Sequence, residues 1–164
     1  MSKRPGDETN VTSKVAEIND LLFRFAASFE EKNWAEMRAI LADVIYCDYS
    51  SLRGVSPGPV SGADYVEQRV TSLAGLDTQH DLTNVRVAVG GDAATARCNF
   101  VIRRFAEPSQ TASDNFFHSY GHYLFRLRRD AGRWKILAIT QVVLRSRGTP
   151  DIHRGTPTAS KKSL

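Results

Sequence analysis

The chain has 164 residues, of which 41% are hydrophobic and 24% charged, and it carries a formal net charge of +4. This is about one domain's worth of sequence with enough apolar residues for a packed core, which excludes global disorder. The whole charge excess falls in residues 145–164, where Arg145, Arg147, Arg154, Lys161 and Lys162 stand against Asp151 alone and no aromatic residue is interleaved. That pattern is a solvated basic end, and it argues against a nucleic-acid partner.

Residues 1–11 are polar and hold Pro5 and Gly6, so a flexible N-terminus is expected there. From Thr12 or Ser13, either of which can cap a helix, Val15, Ile18, Leu22, Phe25, Ala26 and Phe29 recur at helical spacing and give one apolar face. A tight break at Glu31-Lys32-Asn33 follows. Asn33, with Glu36 three residues on, then opens a second helix to Leu41. Residues 45–52 alternate as a strand, with Ile45, Cys47 and Tyr49 on one face and Tyr46 and Asp48 on the other. Residues 53–59 are a Gly/Pro loop, and Ser61 with Asp64 caps a third helix over residues 62–73.

The segment Thr78-Gln79-His80-Asp81-Leu82 is expected at the junction between this helix and the strands beyond. Val85, Val87 and Val89 alternate up to a turn at Gly90-Gly91-Asp92, and residues 94–105 alternate again. A polar loop covers 107–114. Strands over 116–129 and 134–144 are joined by a turn at Asp130-Ala131-Gly132. Residues 146–164 are expected to form a flexible basic tail, leaving a single domain over 12–145.

Helices first and an antiparallel meander after predict an α+β fold, with helices against one face of a curved sheet. No Gly-rich phosphate loop is present. Cys47 and Cys98 form neither a disulfide framework nor a CxxC pair, so they support no zinc site; no complete metal-ligand set is evident, no metal or other cofactor is expected, and a reducing, cytoplasmic setting is. No apolar run at the N-terminus reads as a secretory signal, and none approaches the ~18 residues of a membrane span, so no membrane partner is expected.

The stretches EEKNWAEMRAIL, IYCDYSSL, TQHDLTNVRV, GDAATARCNF and LRRDAGRWKI, in this order, resemble SnoaL-like proteins and scytalone dehydratase, within the nuclear-transport-factor-2-like superfamily. The resemblance implies a cone-shaped barrel: a strongly curved, mostly antiparallel sheet wrapped around the N-terminal helices, with an internal pocket. Carried across, the dehydratase's catalytic tyrosine falls on Tyr49, its TQH histidine on His80, its aspartate on Glu30 and the neighbouring tyrosine on Phe29. Its second catalytic histidine has no counterpart, since Arg104 or Phe105 stands there. Its pocket serine and asparagine fall near Gly121 and Tyr123. Half of that constellation is present and half replaced.

His80 either acts as an acid–base group near neutral pH or merely caps the helix end. Tyr49 offers a phenol to a developing enolate, or is a core tyrosine. Glu30 either orients His80 or closes an ordinary charged helix end. Arg104, in phase with Cys98, Phe100 and Ile102, reaches an acidic or phenolic oxygen if that face points inward. Phe29, Phe100, Arg104 and Tyr123 are the expected substrate contacts. His118, Tyr120 and His122 share the face of Arg126 and Arg128, so they are read as polar residues of a subunit interface, and a dimer or trimer is expected. The leading reading is a cofactor-independent lyase or isomerase acting on a hydrophobic cyclic or aromatic oxygenated small molecule. The alternative is a non-catalytic ligand binder, or a structural subunit similar to the β subunits of ring-hydroxylating dioxygenases.

Overall fold

The structure is a computed structural model, and it describes residues 5–107 and 115–153. Helix α1 spans Pro5–Glu30, so the start expected at Thr12 moves back to Pro5 and the helix runs on through Thr12 and Ser13. Its buried face is Ile18, Leu21, Leu22, Phe25, Ala26 and Phe29. This is the expected stripe with Leu21 added and Val15, nearer the start of the helix, only half-buried, because a helix lying in a concave sheet is covered over more than one narrow seam. Lys32 takes a positive φ of 55° at the break. Helix α2 (Trp34–Ile40) follows, with the Asn33 side chain accepting from the Glu36 N–H.

Strand β1 begins directly at Leu41 and ends at Asp48, shorter at its far end than expected. Tyr49 then caps a single helical turn, α3 (Ser50–Arg53), closed by Gly54 at φ 66°. The Gly/Pro loop contains a short strand that pattern alone did not announce, β2 (Gly58–Ser61). Helix α4 (Gly62–Ser72) starts where the Ser61 hydroxyl accepts from the Asp64 N–H.

Strands β3 (Leu76–Gly90), β4 (Ala93–Ala106), β5 (Phe117–Asp130) and β6 (Arg133–Gly148) form the antiparallel meander. The six strands lie in the order β2-β1-β6-β5-β4-β3, in a curved sheet that does not close. β1 joins β6 in parallel, which makes the sheet mixed. Two expectations change here. Thr78–Leu82 is not a junction but lies inside β3, with His80 opposite Ile102. The chain also stays in the sheet beyond Arg145, since Ser146, Arg147 and Gly148 pair with Ser119, His118 and Phe117 before a 3-10 turn at Pro150–Ile152. Of the two expected flexible ends, residues 1–4 and 154–164 lie outside the described residues, as do 108–114 of the expected polar loop.

Alternation decides what the sheet shows to the helices. On β4, Ala94, Ala96, Cys98, Phe100, Ile102 and Arg104 are buried, and on β5, Phe117, Ser119, Tyr123, Phe125 and Leu127. Phe25 sits at the centre of the core, edge-on to Phe29, Tyr123 and Phe125. At the far end of this interior, the buried residues turn polar.

Candidate functional site

The end of α1 and the edge strand β3 hold His80 between them. Its ring stacks on Phe29, with centroids 4.3 Å apart and planes within 14°. β3 is an outer strand of the sheet, so its outward backbone N–H groups need partners. The N–H of His80 donates to Glu30 Oε1 at 2.7 Å, and the Thr78 hydroxyl donates to the Phe29 carbonyl at 2.9 Å. Lys32 Nζ donates to that carbonyl and to Thr78 Oγ1. Gln79 and Asp81 point the other way, towards Arg103. Glu30 is therefore a backbone anchor: it is exposed and its carboxylate accepts from the main chain of His80, a strand-to-helix clamp at the charged helix end.

The imidazole is 6% exposed and its Nδ1 is buried without a partner. Burial, followed by the charges of Arg104, Lys32 and Arg69, holds its pKa well below the usual value. The ring is therefore neutral at neutral pH, with a ring nitrogen that no protein group engages.

Tyr49 faces the same space. Its hydroxyl lies 2.7 Å from that of Tyr65, a residue of α4. Arg69, one turn further along α4, lies over both rings, 4.9 Å from the Tyr49 centroid and 4.3 Å from that of Tyr65. Burial raises the Tyr49 pKa well above its ordinary value, and burial does the same for Tyr123, so both phenols stay protonated and can donate. Gln141 Nε2 donates to Tyr123 Oη at 2.7 Å, which leaves the phenolic proton of Tyr123 for another acceptor. Arg104 is buried and donates to Ser119 Oγ at 3.2 Å.

Phe29, Tyr49, Arg53, Arg69, Ser72, His80, Arg104, Tyr123 and Gln141 line one small cavity with Leu52, Leu73 and His153. Its volume is about 20 Å³, room for about one water. Tyr49, Arg53 and Arg69 also line an adjoining hollow of about 230 Å³ beneath Val55–Val60. Of these three, Arg53 on the short turn α3 is the half-buried one, while Tyr49 and Arg69 are buried.

The structure brings five of the expected site residues, Phe29, Tyr49, His80, Arg104 and Tyr123, into this lining. It separates two others. Glu30 lies outside, as described, and Phe100 packs behind Tyr123, 4.8 Å between centroids, without reaching the cavity. Gly121 supplies no side chain where the resemblance suggested a serine. His118, Tyr120 and His122 sit on the outer face with Arg126. Among the described residues no three His, Cys, Asp or Glu side chains gather.

Sequence reading missed Arg53, Tyr65, Arg69, Ser72, Gln141 and His153. A signal existed for three of them. Tyr65, Arg69 and Ser72 fall at i, i+4 and i+7 of α4, one helical face, and all are buried. His153 was assigned to the tail, and only the pairing of β6 to its end returns it to the cavity.

The same lining sets an acid response. Burial, then Arg104, lowers the His153 pKa to about 4, and His80 is also depressed. In the unfolded chain both titrate near ~6.5. Below that pH the unfolded state takes up protons that the folded state refuses. Stability is therefore complete above about pH 6.5 and falls as the pH drops towards 4. Thermal melts across this window should show the fall, and His80→Asn should flatten it. Parallel curves for the two proteins would remove His80 from the account.

Helices lying against a curved, open, six-stranded sheet, with a polar cavity between them, define the class: the protein has the nuclear-transport-factor-2-like fold. More closely, it belongs to the SnoaL-like domain family, which matches residues 11–140. No curated protein matches the sequence. Among solved structures, the Kfla4162 protein of Kribbella flavida is 22% identical, with a TM-score of 0.80 over 87% of this chain and 97% of its own. A proposed scytalone dehydratase of Novosphingobium aromaticivorans is 14% identical, with a TM-score of 0.71 over 96% and 99%. A hexachlorocyclohexane dehydrochlorinase, LinA type 2, is 15% identical, with a TM-score of 0.71 over 95% and 99%. At these identities what is shared is the fold.

Proposed function

We propose that the protein is a cofactor-independent lyase or isomerase that moves a proton next to a carbonyl in a cyclic or aromatic oxygenated small molecule. One observation carries the reading: a buried, neutral His80 with a free ring nitrogen shares its cavity with the protonated phenol of Tyr49. Neutral His80 takes the proton from the carbon next to the carbonyl. The C–H electron pair forms the enolate double bond, and Tyr49 donates a hydrogen bond to the oxygen as its charge grows. In a dehydration, the enolate collapses, the bond to the neighbouring hydroxyl breaks, and the imidazolium returns its proton to the departing oxygen to give water and a new C=C bond. In an isomerisation, the proton returns to another carbon. The relatives named for dehydratase and dehydrochlorinase activity support elimination as the reaction class. A screen of β-hydroxy ketones, followed by the absorbance of the conjugated product, tests it. Absence of turnover with tight binding of the same compounds would favour the alternative, a ligand binder.

The proposal includes a homodimer or homotrimer built through the outer face of β5, acting in the cytoplasm, where the free thiols of Cys47 and Cys98 stay reduced. Tyr46, Tyr120 and Leu124 support the assembly, as large apolar groups between 37% and 44% exposed on that sheet face. Light scattering of the wild-type chain should give a dimer or trimer mass, and Leu124→Lys should shift it towards the monomer. A monomer at micromolar concentration would sink this part. Among the described residues no helix is long and apolar enough to cross a membrane.

A further inference from the structure

The cavity is electrostatically one-sided. Arg53, Arg69 and Arg104 line it, and none of its lining residues is an aspartate or glutamate. Arg69 and Arg104 are only 4% and 6% exposed. Among the described residues the ion pairs engage Arg24, Arg38, Arg103 and Arg129, and none engages these three. Arg69 Nη1 is buried with no acceptor at all. Arg104 has Ser119 Oγ and the face of Phe117, neither of them an anion. A buried charge with no counter-charge is among the most costly features a fold can carry, and removing the group would relieve it. Here two, Arg69 and Arg104, converge on one space, with the half-buried Arg53 beside them.

The aromatic faces of Tyr49 and Tyr65 offset part of the Arg69 charge, but they leave its outer nitrogen free. The missing partner is an anion that enters with the ligand. A guanidinium presents a planar fork that matches a carboxylate with two parallel hydrogen bonds. The stacked rings of Phe29 and His80 offer a flat wall beside it, which suits a planar acid.

We propose that the ligand of this site is an organic carboxylate, a cyclic or aromatic acid whose carboxyl group is held by Arg69 and Arg104 while its ring lies towards His80 and Tyr49. The inference rests on the proposed function for the position of the reacting carbon, and on the arginines alone for the acid. Tyr49, Arg53 and Arg69 line both the cavity and the adjoining hollow of about 230 Å³, and Arg53, the half-buried one of the three, gives way to admit the ligand. Binding joins the two spaces, and the carboxylate supplies the counter-charge that the empty site lacks.

The test uses the full chain with salicylate and salicylamide, which differ in charge and little in shape, and with inorganic phosphate as a generic anion. Salicylate at about one hundred times its Kd should raise the melting temperature by ~5 °C or more. Salicylamide and phosphate should leave it within ~1 °C of the free protein, for lack of a matching carboxylate or of a ring. In Arg69→Met and Arg104→Met the salicylate shift should disappear. Without ligand, these two variants should melt no lower than the wild type, because each removes an unpaired buried charge, whereas a structural arginine would leave a less stable protein. In His80→Asn, which loses turnover, a salicylate shift should remain, smaller by the lost ring wall, and it should vanish when Arg69→Met is added, which separates this inference from the catalytic reading. Equal shifts with salicylamide or phosphate, or a salicylate shift that survives both arginine variants, would overturn it.

Discussion

Replacing His80 with asparagine lowers kcat/KM by ~10²–10⁴-fold while the protein still folds, the usual contribution of a positioned acid–base group. The fold should survive because what anchors this part of β3 is main chain. Glu30 Oε1 accepts from the His80 N–H, and Thr78 ties the strand to the Phe29 carbonyl, neither through the imidazole. The asparagine keeps a polar group of similar reach but has nothing that titrates. Tyr49→Phe should cost less, ~10–10²-fold, as one lost hydrogen bond to a developing charge. Its partner hydroxyl on Tyr65 remains to hold water in the gap. Single-turnover rates on a substrate identified by the screen, paired with melting curves, measure both. An unchanged rate in His80→Asn would end the assignment of His80 as the base.

Gly121→Ala should destabilise the protein by ~3 kcal/mol or more, at the upper end of the overpacking range. Gly121 sits on the buried face of β5 at a bulge, where Tyr120 pairs with Arg145 and Gly121 with Val143, leaving Leu144 of β6 unpaired. A β-carbon there would stand 2.0 Å from the carbonyl oxygen of Val142 and 2.9 Å from Phe100 Cζ. The first of these neighbours is backbone and cannot rotate away. The strands would have to part at the point where β5 and β6 carry Tyr123 and Gln141 into the cavity. Urea unfolding of Gly121→Ala against the wild type reads the loss from the shift of the midpoint. A midpoint within experimental error of the wild type would show that the bulge relaxes freely. The same clash means that a serine cannot be restored at this position to recreate the dehydratase arrangement.

The legible parts of this protein were the ones written in local periods. An apolar stripe every three to four residues marked α1, alternation along β5 assigned Tyr123 inward and His118, Tyr120 and His122 outward, and alternation along β4 put Arg104 in phase with Cys98, Phe100 and Ile102 without deciding which way that face points. Asn33 and Ser61 marked two helix starts because a cap is a contact within four residues. The sequence order of helices and strands, with its quoted motifs, was enough to point to the family and to place His80 and Tyr49 in one pocket.

What the chain did not announce depends on residues far apart. Arg69 is one charge on a polar helix until α4 packs across the cone and lays it over Tyr49. Glu30 seemed a partner for an imidazole, yet the edge position of β3 gives it a backbone N–H to satisfy instead. The parallel pairing of β1 with β6, the return of His153 to the cavity and the closure of that cavity to about 20 Å³ are likewise products of distant packing. Periodicity fixes which face of an element is apolar, because side-chain direction follows from the backbone geometry of that element alone. Which faces meet, which charges they enclose and how much space remains between them depend on close packing summed over the whole fold, and only the tertiary structure decides them.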